Sequence, residues 1–235
     1  MKLIEKNENQ ITFVAEIEDS LANSIRRYVN HIPIMAIDEV EILKNDSPTY
    51  DETVAHRIGL IPLKPGKSEN QKAKLNVKKE GIVHSGEIKG VEVVHKDIPI
   101  TFLNKDQELE IVMESKSGVG VEHAKFSPGI MFYRNVVEIT INKDLQDKIK
   151  SFVKENEVKE KGDKIIILDN KKREIADVCE SISKKAGKSA EIDVKKDLVI
   201  TVESFGQINA KDIFTKSISE LKKELTGVSK KISKE

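Results

Sequence analysis

The chain has 235 residues, of which 34% are charged and 38% are apolar, so it can form one large domain or two small ones with buried cores. Its 40 basic and 40 acidic residues cancel, and a zero net charge disfavours a protein that binds nucleic acid on its own, because such proteins carry a basic surplus. A single cysteine, Cys179, excludes an intramolecular disulfide and a cysteine-only metal site.

The sequence predicts no membrane segment. No apolar run approaches the roughly 18 residues that a membrane-spanning helix needs, and the opening residues MKLIEKNENQ contain no apolar signal core. We therefore expect a cytoplasmic protein.

The first 44 residues predict two short strands, a helix and a third strand. Asp19 or Ser20 can cap the helix, and Pro33 ends it because the residue before a proline avoids the α region. Apolar residues follow at helical spacing and predict one buried stripe, formed by Leu21, Ala22, Ile25, Val29 and Ile32. A strand then follows, and DETVAHRIGLIPL predicts a helical turn that ends at Gly59.

Residues 45–142 predict a β-rich inserted domain. Strand patterns cover Val91–Val94, Leu109–Met113 and Val136–Ile141, whereas residues 62–76 predict a polar loop. Gly118 and Gly120 form a Gly-x-Gly pair. The pattern disfavours a nucleotide-binding loop, because no third glycine and no Gly-Lys-Ser/Thr follows.

The remaining residues predict a charged segment and a return to strand and helix. Residues 143–164 are rich in lysine and glutamate; a short strand at 165–168 and a helix at 173–187 follow. Asn209 is the expected N-cap of the last helix, with Asp212 at its N3 position. The apolar stripe of that helix comprises Ala210, Ile213, Phe214, Ser217, Leu221 and Leu225, and we expect the polar tail TGVSKKISKE to be frayed.

No residue pattern predicts catalysis. The five histidines have no i, i+4 pairing and no cysteine companions, so we predict no metal site. Asp51, Glu52 and His56 form either an acid–base set or one face of a helix, and we interpret Asp51 as a helix cap because no nucleophile lies nearby.

Four segments together resemble the α-like subunits of cellular RNA polymerases, the family that includes the archaeal D-type subunits, the bacterial α subunit and the third-largest eukaryotic subunits. They occur in the family's order and read LANSIRRYVNHIPIMAIDEVEI, DETVAHRIGLIPL, GVGVEHAKFSPG and DLVITVESFGQINAKDIFTKSISELKKEL. The resemblance is strongest to the archaeal members. It implies an α+β fold, with a dimerisation domain made of residues 1–44 and 194–235 and the β-rich domain 45–142 inserted in it.

The resemblance also implies that residues 143–193 are a ferredoxin-like insert. In some archaeal members this insert binds iron–sulfur clusters through Cys-x-x-Cys-x-x-Cys runs. Here Cys179 stands alone, and a cluster needs several thiolates, so we predict that the insert is degenerate and that the chain has no cofactor.

The function implied by the resemblance is that of a non-catalytic assembly subunit of DNA-directed RNA polymerase, whose complex transfers nucleotides. The implied partners are a smaller α-like subunit (subunit L), subunit N and the second-largest polymerase subunit, without a membrane or tight DNA binding. Two adjacent arginines on a helix are commonly solvated surface, but the family uses the matching pair for assembly. The expected interface residues are Leu21, Asn23, Ile25, Arg26, Arg27, Val29, His56, Arg57, His123, Lys125, Ile213, Phe214, Leu221 and Leu225.

Two alternative functions, a redox protein and a nucleic-acid-binding protein, are compared with this interpretation. A stand-alone ferredoxin-like redox protein is disfavoured by the missing cysteines. An autonomous nucleic-acid-binding protein is disfavoured by the zero net charge and by an aromatic content of only 4%.

Overall fold

A computed structural model describes residues 1–66, 70–149, 151–153, 158–171 and 174–233. The chain divides into two compact units, each built from two separate stretches of sequence. The first unit contains Met1–Ser24 and Met131–Val202, and the second contains Ile25–Ile130 and Glu203–Glu235. Arg173, the predicted start of a helix, and the ends of the predicted tail, Lys234 and Glu235, lie outside the described residues.

A six-stranded sheet forms most of the first unit. In spatial order its strands are β1 (Lys2–Lys6), β2 (Gln10–Ala15), β11 (Glu191–Ser204), β8 (Gly129–Asn142), β10 (Lys164–Asp169) and β9 (Val158–Lys161). The pairs β1–β2, β8–β10 and β9–β10 are antiparallel. Apolar residues of β8 and β10 pack against the short α3 (Gln146–Ile149) and α4 (Ala176–Lys185), because alternate residues of a strand point to the same face.

Asp169 and Arg134 form a buried ion pair at the end of β10 in this unit. The Asp169 side chain is 1% exposed, and one of its carboxylate oxygens lies 2.5 Å from Nη2 of Arg134. The other oxygen accepts a hydrogen bond from the backbone N–H of Ile175, just before α4, at 2.9 Å. This carboxylate therefore connects β8, β10 and the start of α4.

The second unit contains a three-stranded antiparallel sheet, a two-stranded sheet and helices. The larger sheet has the order β3 (Ile34–Asn45), β7 (Leu109–Gly118), β4 (Lys72–Val77), and the smaller pairs β5 (Gly81–His84) with β6 (Pro99–Leu103). Helix α2 (Asp51–Gly59) packs Val54 and Ile58 into the core that these strands share. The unit also contains the long α5 (Ala210–Ile232) and the end of α1 (Asp19–Tyr28).

The predicted mixed α and β architecture is confirmed, and most of the strongly periodic segments are correct. The first helix is α-helical as α1 and continues as a 3-10 turn over Val29–His31. Its predicted stripe is buried except for Leu21, which is 45% exposed. The ferredoxin-like character of residues 143–193 and the predicted domain boundaries stay predictions.

Three local predictions are wrong. Val91–Val94 is not a strand, because its pairing is limited to one bridge from Val93 to Leu63, with backbone hydrogen bonds from Lys64 to Glu92 and from Val94 to Pro62. Residues 72–76 of the predicted polar loop belong to strand β4, where alternate lysines face solvent and Ala73 and Leu75 are buried. Asp51 is the first helical residue of α2 rather than its cap, since Tyr50 occupies the N-cap position.

Candidate assembly surface

Helix α5 begins as part of the core of its unit. Asn209 occupies the predicted N-cap position, and its side-chain amide lies 3.5 Å from the Asp212 carboxylate. The residues of the first two turns that face the core recur at spacings of three and four, which places them on one side of a helix. They are Ala210, Ile213, Phe214 and Ser217, all buried.

Beyond Ser217 the same face of α5 is apolar but largely uncovered. Every residue from Lys222 to Ser233 is exposed, and Leu221 is half-buried. Leu225 is 61% exposed and Ile232 is 69% exposed, unusual values for large apolar side chains that share one helix face. We call this the α5 seam; its residues are Ile218, Leu221, Leu225, Val228 and Ile232.

The end of α1 is connected to α5 by a side-chain hydrogen bond. The Tyr28 hydroxyl donates to a carboxylate oxygen of Glu224, which lies on α5 one residue before Leu225. This bond raises the pKa of Tyr28, because the carboxylate favours the protonated phenol. The His31 ring stacks on the Tyr28 ring, with the two centroids 4.5 Å apart. The 3-10 turn after α1 and the middle of α5 are therefore held together.

Arg26 and Arg27 lie in the last turn of α1, where cationic side chains interact favourably with the helix dipole. Both are exposed, as are Leu21 and Asn23 of the same helix. Ile25 and Val29, which were expected at the interface, are buried within the chain. The same holds for Ile213 and Phe214, so only part of each predicted apolar stripe is accessible to another protein.

The loop after β7 is fixed to β3 by an ion pair that sequence patterns did not reveal. The ammonium of Lys125 donates to Asp38 at 2.7 Å and lies 5.0 Å from the centre of the Phe126 ring. The pKa of Asp38 is lowered, first by this hydrogen bond and further by the charges of Lys125 and Lys116. His123, exposed beside it, accepts a hydrogen bond at Nδ1 from the backbone N–H of Lys125 at 3.1 Å.

The Gly-x-Gly pair in this loop is explained by close packing. A Cβ atom on Gly118 would lie 2.6 Å from the Phe126 ring, and one on Gly120 would lie 2.8 Å from the side-chain oxygen of Asn30. The same Asn30 oxygen accepts a hydrogen bond from the Ser127 hydroxyl at 2.9 Å. Both glycines therefore permit the loop to lie against its neighbours.

His56 and Arg57 are both exposed on α2. Arg57 donates a hydrogen bond from Nη1 to the backbone carbonyl of Ile100 on β6 at 2.8 Å, so its guanidinium is fixed against the strand. Asp51, considered with His56 as an acid–base set, instead accepts a hydrogen bond from the Asn45 side chain at 2.7 Å. This carboxylate stabilises the turn before α2.

The described ranges contain no group of three or more His, Cys, Asp or Glu side chains that could hold a metal ion. Cys179 is buried, and burial raises the pKa of its thiol to about 11, so the reactive thiolate is disfavoured. Among the residues that the structure describes, no helix is both long enough and apolar enough to cross a bilayer.

Three members of the α5 seam were not predicted from the sequence: Ile218, Val228 and Ile232. The signal that identifies them is their spacing, since the five seam positions are alternately three and four residues apart. This repeat continues into the tail that was expected to be frayed, and the tail is helical as far as Ile232.

Comparison with known proteins gives a consistent result. Residues 23–131 match the family model described as the RNA polymerase Rpb3/RpoA insert domain. A relative from Pyrococcus horikoshii, named DNA-directed RNA polymerase subunit Rpo3, is 36% identical over 162 residues, 62% of this chain and 62% of that protein. The protein of the same name from Methanocaldococcus jannaschii is 40% identical over 126 residues, 51% of this chain and 65% of that protein.

The regions matched in these two relatives span less than two thirds of their length. A third Rpo3 protein, from Methanosphaera stadtmanae, aligns over 92% of both chains at 26% identity. The resemblance inferred from the four sequence segments is confirmed: the chain is similar to archaeal Rpo3 proteins and, over residues 23–131, to the Rpb3/RpoA insert domain of the α-like RNA polymerase subunits.

Proposed function

We propose that this chain is a non-catalytic assembly subunit of an archaeal DNA-directed RNA polymerase. The observation that carries the proposal is the α5 seam, an apolar helix face that the chain's own core covers only as far as Ser217. Water-exposed apolar area of this kind is typical of protein–protein contact sites. The names of the Rpo3 relatives supply the identity of the complex.

In this proposal the α5 seam binds the smaller α-like subunit (subunit L), and the heterodimer then recruits subunit N and the second-largest polymerase subunit. The complex transfers nucleotides, whereas this chain positions the other subunits and acts in the cytoplasm. The proposed contacts with the larger subunits are the exposed arginines Arg26 and Arg27 and the loop containing His123 and Lys125. The arginines lie in the last turn of α1, and the loop is held by hydrogen bonds of Lys125 with Asp38 and His123.

We also retain the interpretation of residues 143–193 as a degenerate ferredoxin-like insert without a cofactor. The segment contains β9, β10 and α4, and its one cysteine packs in the core. Elemental analysis of anaerobically purified protein is expected to give no stoichiometric iron or zinc. About one iron atom per chain would contradict this part of the proposal.

Co-purification with the smaller α-like subunit tests the main proposal. We expect Leu221→Asp combined with Leu225→Asp to abolish the complex. Each leucine contributes roughly 1.5–3 kcal/mol when buried, and a tenfold change in affinity corresponds to about 1.4 kcal/mol, so affinity should fall by about a hundredfold or more. Phe214→Asp is unsuitable, because Phe214 is buried in this chain and its replacement would disturb the fold itself.

Lys223→Asp is the matched control, since it introduces a carboxylate on the same helix but on the side away from the seam. This variant should bind with unchanged affinity. Wild-type binding by the double aspartate variant would refute the proposed contact. A wild-type chain that fails to bind the smaller subunit would favour one of the alternatives, a ferredoxin-like or nucleic-acid-binding protein.

A further inference from the structure

The last turns of α5 have no tertiary support from the rest of the described chain. All side chains from Lys222 to Ser233 are exposed. A Cβ atom added to Gly227 would meet nothing within 4 Å. The Thr226 hydroxyl bonds only to the carbonyl of Lys222, one turn earlier in the same helix. Helix formation in residues 226–232 therefore depends on local propensity unless another molecule covers it.

Local propensity in this segment is low. Thr226, Gly227, Val228 and Ser229 are consecutive, and all four are weaker helix formers than alanine, glycine most of all. These residues extend a helix that is already formed, so each adds one hydrogen bond at the cost of its own conformational freedom, and weak helix formers leave little net stability. We expect residues 226–232 of the isolated chain to open readily.

This segment of low helix propensity contains Val228 and Ile232, which continue the spacing of the other seam residues. The positions 218, 221, 225, 228 and 232 alternate in steps of three and four, the spacing that two helices share when they pack side by side as in a coiled coil. The five positions extend over about 21 Å of helix. Thr226 and Gly227 do not belong to this repeat, so neither position lies on the seam face.

The spacing therefore specifies an α-helix as the occupant, and the flanking residues indicate its charge. Lys222 directly follows a seam position and Lys231 directly precedes one, the places where charges of two packed helices meet. Glu224, the acid in a similar place, is already bonded to Tyr28. A helix complementary to the seam would carry apolar residues at the same spacing and carboxylates along its edge.

We propose that residues 226–232 are a conditional extension of the assembly surface, which becomes stably helical when an acidic-edged helix of the smaller α-like subunit packs on the seam. This proposal rests on the proposed function and adds to it the kind of element that binds and the order in which the surface forms. The low helix propensity around Gly227 then couples the folding of these turns to binding. This coupling lowers the affinity but makes the surface form only in the presence of its partner.

Amide hydrogen exchange of the full chain, alone and with the smaller α-like subunit of the same organism, tests this proposal. Alone, residues 226–232 should exchange much faster than the buried turns of α5 around Ile213; in the complex they should become protected. Gly227→Ala should slow exchange in the isolated chain and tighten binding up to about fivefold, because alanine is about 1 kcal/mol better than glycine in a helix.

Ser219→Ala is the matched control. It also introduces alanine at an exposed position of α5 outside the seam, but where Ser217 and earlier residues already hold the helix against the core. It should change affinity less than twofold. Slow exchange of residues 226–232 in the isolated chain, or weaker binding by Gly227→Ala, would overturn this inference while leaving the proposed function intact. Absence of any binding by the wild-type chain would overturn both.

Discussion

Removing the carboxylate of Asp169 should strongly destabilise the first unit. This side chain is 1% exposed, and its partner Arg134 is 20% exposed. Breaking one side of a buried pair typically costs about 3–5 kcal/mol, and the partial exposure of the guanidinium favours the lower end. The backbone N–H of Ile175 also loses its acceptor. We therefore expect Asp169→Ala to lower the free energy of unfolding by roughly 3–4 kcal/mol.

Native-state hydrogen exchange, read at the amides of β8 and β10, measures this loss within the unit concerned. Two compact units need not unfold together, so a single melting temperature is a poorer measure. The control is Asp193→Ala, because Asp193 pairs with Lys195 at 2.6 Å but is 68% exposed and should contribute about 0–1 kcal/mol. If the free energy of unfolding falls by less than about 1 kcal/mol in both variants, the buried pair does not hold β10 and α4 together.

Three further predictions concern single residues. Lys125 lowers the pKa of Asp38, so the ion pair stabilises the fold fully above the usual carboxyl pKa. This stabilisation is lost as the pH falls through the lowered pKa. Asp38→Asn should therefore make the free energy of unfolding less sensitive to acid below about pH 4. Iodoacetamide should modify Cys179 slowly at pH 8 in the native protein and rapidly in denaturant, and equal rates would contradict its burial. Gly129→Ala should speed native-state hydrogen exchange at the amides near Gly129 and Glu203, because its Cβ would lie 2.1 Å from the carbonyl oxygen of Glu203; unchanged exchange would show that the strands can separate.

Local periodicity in the sequence was sufficient for α1 and α2. Ile25 and Val29 follow a helical repeat, and a short helix from Asp51 to Gly59 is present as expected. The prediction from periodicity failed at β4, because the lysines at alternate exposed positions made this strand resemble a polar loop. Regular alternation predicts a strand only when its polar half is recognised as the solvent face.

The candidate surface was only partly predictable, for two physical reasons. The stripe on α5 is continuous in sequence, but the point where the chain's own core ends, after Ser217, depends on tertiary packing. The pairs that fix the surface join distant residues: Lys125 and Asp38 are 87 positions apart, and Tyr28 and Glu224 are 196 apart. No local pattern encodes which of many lysines and glutamates will meet.

The position of β11 next to β2 has a consequence for how the protein is made. The hydroxyls of Thr12 and Thr201 lie 3.1 Å apart across this boundary, although 189 positions separate them in the chain. Contacts of such long range slow folding, because a large loop must close before they form. During synthesis β2 emerges long before its neighbour, and its unpaired edge is open to wrong partners in the interval. The nascent chain is therefore expected to depend on chaperones until β11 has left the ribosome.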